Sequence, residues 1–361
     1  MGNLVDRLEE PITDKETQVG EGNGLRYGVS GMQGWRTTME DSHTAVASLP
    51  GLPEISFFGI YDGHGGPFTA KYVGSNILSV FSKRKELRAY ASFHPNERDD
   101  VPGVRLLKAA LNGTFVEIDE DLRNIQRASQ LQTRKTSDGD EIRRDERSGS
   151  TCVIVLITPK HIICANAGDS RACYQRNAKV LPLSFDHKPS NCAELSRIKN
   201  AGGTVTLRRV DGDLAVSRGL GDFQYKGRPD LPPERQKVSC IPDITVYPRN
   251  DNQDELITLA CDGIWDVVSN KDCLDLIQGI LDEGETNLGL VCEEMLDICL
   301  EKESRDNMSI IVIACPNVRY GEGMGVSGRR AKRRLSKEND TQTSTRNQQN
   351  GMPQRKEIAG Q

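Results

Sequence analysis

The stretch Gly59-Ile60-Tyr61-Asp62-Gly63-His64-Gly65-Gly66 closes an apolar run that begins at Ile55. Uninterrupted apolar and aromatic residues over this length predict a buried β-strand. The strand ends at a carboxylate, an imidazole and three glycines, and glycine lets the backbone fold tightly around a bound group. Asp-Gly is also a common turn pair, so these residues by themselves fit a polar turn as well as a metal or phosphate site.

A second apolar run in the other half of the chain ends in the same way, at Cys261-Asp262-Gly263-Ile264-Trp265-Asp266. Acidic residues also flank three further predicted strands, at Glu40-Asp41, Asp169 and Asp306. If these strands lie in facing sheets, their ends converge on one rim, where carboxylates would repel one another unless cations lay among them. Oxygen ligands favour hard cations such as Mg²⁺ or Mn²⁺ over zinc. Five such strand ends indicate a metal cluster rather than five separate turn caps.

Composition and charge restrict the class of protein. The chain has 361 residues and a formal net charge of −5, and no apolar stretch approaches the ~18 residues needed to span a bilayer. Its ten cysteines are scattered without a CxxC pair, which is typical of free thiols in a reducing compartment. The residues before Asn317 carry 37 Lys/Arg against 48 Asp/Glu, a balance that argues against general nucleic-acid binding and suits divalent cations. We therefore expect a cytoplasmic protein that does not bind nucleic acid.

Short strands paired by turns, with helices grouped between them, predict an α+β layered domain with mostly antiparallel sheets. The predicted strands are Leu25–Gly31, Thr44–Leu49, Ile55–Tyr61, Ser150–Thr158, His161–Ala167, Arg171–Gln175, Lys179–Leu183, Leu256–Cys261 and Ser309–Cys315. The predicted helices are Phe68–Arg84, Val104–Arg127, a short one with an Asn191/Glu194 capping box, Lys271–Asp282 and Asn287–Lys302. Residues 1–23 are predicted to be a flexible lead, 24–316 a catalytic domain, and 317–361 a basic, disordered tail.

Several motifs in order along the chain resemble those of the metal-dependent (type 2C, PPM) Ser/Thr protein phosphatases, and are most similar to the animal cytosolic alpha/beta-like members. The motifs are Gly34-Trp35-Arg36, Met39-Glu40-Asp41, Tyr61-Asp62-Gly63-His64-Gly65-Gly66, Gly149-Ser150-Thr151, Ala167-Gly168-Asp169-Ser170-Arg171, Asp186-His187-Lys188-Pro189, Leu214-Ala215-Val216-Ser217-Arg218, Gly219-Leu220-Gly221-Asp222, Cys261-Asp262-Gly263-Ile264-Trp265-Asp266 and Ser304-Arg305-Asp306-Asn307-Met308-Ser309. The resemblance covers residues 24–316. It implies a β-sandwich of two antiparallel sheets flanked by α-helices, with a binuclear metal site in the cleft at one edge.

The resemblance also implies the roles of the acidic residues. Asp62 would bridge two Mg²⁺ or Mn²⁺ ions, and Gly63 would offer its carbonyl. The other ligands would be Asp262 and Asp306 for one ion, Glu40 for the other, Asp41 through water, and Asp169 with Asp266 for a weaker third ion.

The implied reaction is the hydrolysis of phosphoserine or phosphothreonine by in-line attack of a metal-bridging hydroxide. Arg36 would bind the phosphate oxygens, and His64 would protonate the leaving oxygen as general acid. His64 could instead be a packing histidine. The partners would be phosphorylated proteins, and a catalytically silent phosphoprotein-binding scaffold is the alternative. A second alternative keeps the active site but acts on a small phosphorylated molecule.

One competing motif is the Cys-x5-Arg spacing of Cys299 and Arg305, which is found in thiol-based phosphatases. That chemistry requires a glycine-rich loop that lowers the pKa of the thiol. Here the intervening residues are Leu-Glu-Lys-Glu-Ser, which are acidic and helix-forming. We interpret the spacing as coincidental.

Outside the metal cluster, residues 191–234 correspond to the family's flap, where Arg218 is a candidate substrate contact. Gly2 is a candidate for N-myristoylation and would bring the protein to a membrane only if it is acylated, although Asp6 departs from the usual signal. The basic stretch 329–334 suggests nuclear import or binding to an acidic surface, and Ser336 resembles a site for basophilic kinases. We expect the protein to be monomeric.

Overall fold

The computed structural model describes residues 7–132 and 147–335. The strands are β1 (Arg7–Gly22), β2 (Leu25–Arg36), β3 (Ser42–Val46), β4 (Ser56–Tyr61), β5 (Gly63–His64), β6 (Gly149–Ser150), β7 (Cys152–Ile157), β8 (His161–Ala167), β9 (Arg171–Arg176), β10 (Lys179–Pro182), β11 (Val205–Thr206), β12 (Arg209–Val210), β13 (Leu220–Gly221), β14 (Asp243–Pro248), β15 (Asp254–Ala260) and β16 (Met308–Ala314). The helices are α1 (Phe68–Lys83), α2 (Lys85–Ser92), α3 (Val101–Gln132), α4 (Cys192–Asn200), α5 (Asp262–Trp265), α6 (Asn270–Asp282), α7 (Leu288–Glu301) and α8 (residues 325–335).

Two antiparallel sheets form the centre of the protein. The first sheet has the strand order β1-β2-β16-β15-β9-β10, and the second has the order β14-β8-β7-β4-β3. Strands β13, β6 and β5 form a small separate sheet, and β11 pairs with β12 in a hairpin. The predicted sandwich of two antiparallel sheets with flanking helices is confirmed.

Each sheet is apolar on both faces because each is covered on both sides. In β4, Phe58 and Ile60 point into a core between the two sheets, whereas Phe57 and Tyr61 point into a core shared with α1, α2 and α3. On the other side, α6 and α7 cover the first sheet. A strand that is buried on both faces has an uninterrupted apolar sequence. The two sheets and the helices that cover them form a four-layered α/β/β/α arrangement.

The sheet register brings the acidic strand ends to one rim. The end of β4 lies beside the start of β3, because Tyr61 pairs with Ser42. In the first sheet the end of β15 lies beside the start of β16, because Ala260 pairs with Ile310. Antiparallel neighbours alternate in direction, so the acids that follow one strand and those that precede the next lie at the same edge.

The predicted flexible lead over residues 1–23 is wrong for the part that the structure describes. Residues 7–22 form β1, which pairs with β2 from Gly22↔Leu25 through Lys15↔Met32 and, after register shifts, to Arg7↔Arg36. The polar composition that suggested flexibility suits an edge strand, since most residues of β1 are exposed. Residues 1–6, which include Gly2, lie outside the described residues.

The prediction of a disordered tail is also wrong for its first part, because residues 325–335 form α8. Three of its basic residues, Arg329, Arg330 and Arg333, make ion pairs with acidic residues of the same chain, namely Glu283, Glu293, Glu294, Asp297 and Glu301. Tertiary charge pairing therefore orders a segment that lacks the apolar periodicity of an independent helix. Ser336 and the residues after it lie outside the described residues. None of the described helices has the length and apolar composition needed to cross a membrane.

The predicted capping box of α4 is not formed. Asn191 precedes the helix but makes no side-chain cap, and its amide donates to the carbonyl of Asp186. Glu194 turns inward to Arg197, Ser217 and Arg218 instead. Charged hydrogen bonds to two arginines are stronger than a cap to a backbone N–H, so the tertiary contacts determine where this carboxylate lies.

Candidate metal centre

The rim between the two sheets holds a compact group of carboxylates. Asp62 follows β4, Asp169 follows β8, and Asp262 opens α5 directly after β15. Each of these three residues has an oxygen within 4.8 Å of those of the other two. Asp62 also lies within the same limit of Asp41 and of the Cys261 sulfur. The structure therefore brings together side chains that are far apart in sequence.

The electrostatics of this group are unfavourable in the protein alone. Desolvation, followed by the charges of neighbouring carboxylates, raises the pKa values of Asp62 and Asp262 well above their usual range. Burial also raises the pKa of Asp41, to about 6, against a hydrogen bond from Ser309 that lowers it. Each shift means that the charged form is less stable here than in water. The group therefore has an excess of negative charge.

A hard divalent cation fits this donor set. The Oδ1 atom of Asp41 is buried without a hydrogen-bond partner among the described residues, so one ligand or water position remains unsatisfied. The other nearby donors are carboxylate oxygens, which Mg²⁺ and Mn²⁺ prefer. Burial raises the pKa of the Cys261 thiol well above its usual range, and its sulfur accepts a hydrogen bond from the Ser309 N–H. Cys261 is therefore a packing thiol rather than a thiolate ligand.

Glu40 and Gly63 lie at the edge of this group. The carboxylate of Glu40 accepts hydrogen bonds from Thr38 and from the backbone N–H of Gly66. A Cβ at position 63 would come within 2.3 Å of the Glu40 carbonyl oxygen, so only glycine permits this approach of β5.

Asp306 and its neighbour connect the first sheet to the rim. Arg36 at the end of β2 donates to Asp306 at 2.5 Å, and its side chain is 48% exposed. Asn307 ties the loop after β2 to the start of β16, because its amide donates to the carbonyls of Gln33 and Thr38 and its oxygen accepts from the N–H of Glu40. Asn307 belongs to a quoted motif, but the sequence carried no signal of this structural role.

His64 has a partner that sequence reasoning missed. Its Nε2 atom lies 2.8 Å from Oδ2 of Asp222, a side chain that is 1% exposed. Burial alone would lower the pKa of His64, but the charge and hydrogen bond of Asp222 outweigh it and raise the pKa. A Cβ on Gly149 would lie 2.2–2.3 Å from both side chains, so the glycine makes room for the pair. The only signal in the sequence was the presence of Asp222 in the family motif that ends at this residue.

Asp169 and Asp266 differ in their surroundings. Asp169 is buried and accepts from Lys188 Nζ at 2.5 Å. Asp266 lies at the end of α5 with its side chain partly open to solvent. Partial desolvation, followed by the nearby Asp169 and Asp306, raises its pKa against the lowering effect of Lys188. Asp169 therefore belongs to the rim group, and the charge of Lys188 acts on both Asp169 and Asp266.

Arg218 is not oriented for substrate contact. Its side chain is 15% exposed and donates to Glu194, to Asp243 and to the carbonyl of Ile241. The prediction of a substrate role for Arg218 therefore does not match its geometry, since its guanidinium holds the base of the flap to β14. An arginine motif cannot reveal by itself whether its charge is already paired.

The competing thiol chemistry is excluded by the position of Cys299. This residue is fully buried in α7, and burial raises the pKa of its thiol to about 12. A nucleophilic cysteine needs a lowered pKa and an accessible sulfur. The Cys-x5-Arg spacing is therefore coincidental.

Comparison with known proteins agrees with this geometry. The family model for protein phosphatase 2C matches residues 25–308. The chain is 45% identical to human protein phosphatase 1A over 311 residues, which are 86% of this chain and 76% of that protein. It is 42% identical to mouse protein phosphatase 1B over 311 residues, 86% of this chain and 75% of that protein.

A solved structure of a phosphatase from a pathogenic strain of Toxoplasma gondii is similar to this chain with a TM-score of 0.65 and 25% identity. The match covers 84% of this chain and 96% of that one. The chain therefore belongs to the protein phosphatase 2C family, whose members are metal-dependent serine/threonine protein phosphatases. None of these matches favours a catalytically silent scaffold.

Proposed function

We propose that this protein hydrolyses phosphoserine and phosphothreonine in protein substrates with two Mg²⁺ or Mn²⁺ ions held at the rim of the sandwich. The observation that carries the proposal is the group of carboxylates Asp62, Asp169 and Asp262, whose oxygens lie within 4.8 Å of one another with an excess of negative charge. Such a group is costly for the fold unless cations neutralise it.

The residues that would hold the ions are those that the resemblance to the family implies. Asp62, the carbonyl of Gly63, and the carboxylates of Glu40, Asp262 and Asp306 would hold the two ions. Asp41 would act through water, and Asp169 with Asp266 would hold a weaker third ion. When bound, the cations would supply an activated water as nucleophile and neutralise charge on the phosphoryl group.

Arg36 would bind the substrate phosphate. Burial lowers the pKa of its guanidinium, but the charge and hydrogen bond of Asp306 outweigh this effect and raise it, so the group stays charged. Because half of the side chain is exposed beside the carboxylates, its planar N–H groups can reach phosphate oxygens.

His64 would donate a proton to the leaving serine or threonine oxygen. Its Nε2 atom is bound to Asp222, so Nδ1 is the nitrogen that would face the leaving group. The raised pKa favours the protonated ring relative to a free imidazole, and the protonated ring is the form that a general acid requires.

For the rest of the chain we propose a cytoplasmic monomer that does not bind nucleic acid. Membrane attachment would require acylation of Gly2, and modification of Ser336 would lower the positive charge of the tail. Nuclear import through α8 would use Lys332 and Arg334, the exposed basic residues of its basic stretch, because the other three form ion pairs within the chain.

The test is phosphate release by the full chain from a phosphothreonine peptide and from free phosphothreonine, with Mn²⁺, with Mg²⁺ and with EDTA. We expect activity on the peptide that requires either metal and is restored when metal replaces EDTA. Equal activity in EDTA would contradict the proposal. Activity on the free amino acid alone would support a small-molecule substrate, and phosphopeptide binding without turnover would support the scaffold.

A further inference from the structure

Lys188 places an ammonium group inside the acidic rim. Its Nζ atom lies 2.5 Å from Oδ2 of Asp169, whose side chain is 3% exposed, while the lysine side chain is 38% exposed. Asp169 is one of the three carboxylates that lie within 4.8 Å of one another, together with Asp62 and Asp262. The ammonium group of Lys188 therefore already forms an ion pair with one of the proposed metal ligands.

The backbone at Lys188 is held close to the Asp169 loop by the preceding residue. The N–H of His187 donates to the carbonyl of Gly168, and the N–H of Gly168 donates to Nδ1 of His187. The carbonyl of His187 accepts from both the N–H and the hydroxyl of Ser217. With its anchor fixed in this way, the lysine can leave Asp169 only by rotation of its flexible side chain.

The charge of Lys188 extends beyond Asp169. Burial and neighbouring carboxylates raise the pKa values of Asp262 and Asp266, and Lys188 partly offsets both effects. Asp169 and Asp266 are the two residues proposed for the third ion. The ammonium is therefore placed among the carboxylates of that ion.

The ammonium of Lys188 and a divalent cation cannot bind the Asp169 carboxylate at the same time. Mg²⁺ binds carboxylate oxygens at about 2.0–2.1 Å and requires near-octahedral geometry. An ammonium at hydrogen-bond distance from the same carboxylate would take up one side of it and repel the ion. Because the lysine side chain is partly exposed, it can move into solvent when an ion arrives, at the cost of its ion pair.

We propose that Lys188 is a tethered cation that competes with a third divalent ion for Asp169, so that the third site fills only when the lysine side chain is displaced. This inference rests on the proposed function, because it takes the two-ion centre as given. It assigns to Lys188 a role in regulating how many ions the centre holds. The third ion would accordingly bind at higher metal concentrations than the first two.

The first test measures Mn²⁺ binding to the full chain by isothermal titration calorimetry, with bound and free Mn²⁺ also counted by electron paramagnetic resonance. We expect two tight ions in the wild type and a third that binds at least about tenfold more tightly in Lys188→Met. The double variant Lys188→Met/Asp169→Asn should lose that gain, because the ion would lie on Asp169. Lys188→Arg, which keeps the charge, should bind the third ion as weakly as the wild type does.

Lys271→Met is the matched control, since Lys271 pairs with Asp275 on an exposed part of α6 and its loss removes the same charge. Its third-ion affinity should equal that of the wild type. A third-ion affinity in Lys188→Met within twofold of the wild type would overturn the inference. Absence of any tight Mn²⁺ in the wild type would instead count against the proposed two-ion centre.

A second test uses only the wild type, in case Lys188→Met does not fold. The rate at which acetic anhydride acetylates Lys188, measured by mass spectrometry, should rise severalfold over the Mn²⁺ range that fills the third site. Lys271 should show no such rise. A Lys188 rate that stays constant while the third ion binds would show that the ion does not displace the lysine, and would overturn the inference.

Discussion

Two groups of carboxylates in this protein differ in how their charge is neutralised. At the metal rim, Asp62 and Asp262 have neighbours that are mainly acidic, and their pKa values are raised by desolvation and like charges. At the base of the flap, Glu194 is 3% exposed, yet its pKa is lowered to about 2. Burial alone would raise the pKa of Glu194, but hydrogen bonds and charges from Arg218 and Arg197 outweigh it.

The difference separates a structural site from a functional one. Glu194 is fully matched by cations of the same chain, so it contributes to the fold and has nothing left to bind. The rim lacks sufficient cations of its own, because Lys188 offsets only part of the repulsion among its carboxylates. Desolvated charge that the chain does not neutralise is therefore the physical mark of the functional site.

The largest expected effect comes from Asp262→Asn. Phosphate release from a phosphothreonine peptide should fall by roughly 10³-fold or more, since the change removes a proposed metal ligand and several kcal/mol of charge stabilisation. In EDTA the same variant should be more stable than the wild type by on the order of 1 kcal/mol, because one repelling charge is gone. Thermal unfolding with and without Mn²⁺ measures this second effect.

Asp275→Asn is the matched control for Asp262→Asn, because Asp275 is exposed and forms an ion pair with Lys271 on the surface of α6. It should change neither the activity nor the stability in EDTA by much. If Asp262→Asn in EDTA were less stable than the wild type, the contrast between the two groups of carboxylates would be lost.

Gly149→Ala should reduce activity on the phosphothreonine peptide by about 10²-fold, the lower end of the contribution of a general acid. The added Cβ would collide with both His64 and Asp222 and separate them. On p-nitrophenyl phosphate, whose leaving group needs no proton, the loss should be much smaller. Equal losses on the two substrates would indicate general distortion of the site rather than loss of the acid.

Glu194→Gln tests the neutralised group and should destabilise the protein by about 2–3 kcal/mol, because Arg197 and Arg218 would lose their buried counter-charge. Urea unfolding at pH 7 with EDTA present measures this loss without the contribution of bound metal. Activity under conditions where the variant is folded should stay within a few-fold of the wild type. A loss as large as that of Asp262→Asn would show that Glu194 takes part in the reaction.

The pH dependence of this difference has a defined sign. The pKa of Glu194 is lowered from 4.5 to about 2 in the folded protein, so its contribution is fully present above pH 4.5. It is lost as the pH falls from 4.5 through about 2, where the folded carboxylate takes up its proton. The stability gap between wild type and Glu194→Gln should therefore be constant from pH 7 to 5 and smaller at pH 3.5. A gap that grows on acidification would contradict this assignment.

Arg333→Ala should have the smallest effect, a loss of about 1 kcal/mol in unfolding free energy with unchanged activity. Arg333 pairs with Glu294 of α7, a side chain that is 0% exposed, and Arg330 lies near the same carboxylate. Because one cation would remain, the charge of Glu294 would stay partly neutralised. Urea unfolding measures the change in stability, and the peptide assay measures the activity. A large loss of activity would mean that α8 is coupled to the structure of the rim.

Local sequence was sufficient for most of the elements. The apolar runs ending at Tyr61, Ala167 and Ala260 are strands with nearly the predicted limits, because a strand buried on both faces must be apolar throughout. The acids that follow them could be predicted to meet because antiparallel strands share an edge. The strand β1 and the helix α8 were missed because their stability comes from pairing with distant parts of the chain.

By itself the sequence determined the layered α+β architecture with antiparallel sheets, since apolar patterning is a local feature. Its motifs identified the family, and the resemblance implied the sandwich and the roles of the rim carboxylates. Only the tertiary structure decided which charges are already matched. It paired Arg218 with Glu194, His64 with Asp222, and Lys188 with Asp169. The physical reason is that a carboxylate's partner and its desolvation depend on residues brought near by folding, and not on those beside it in the chain.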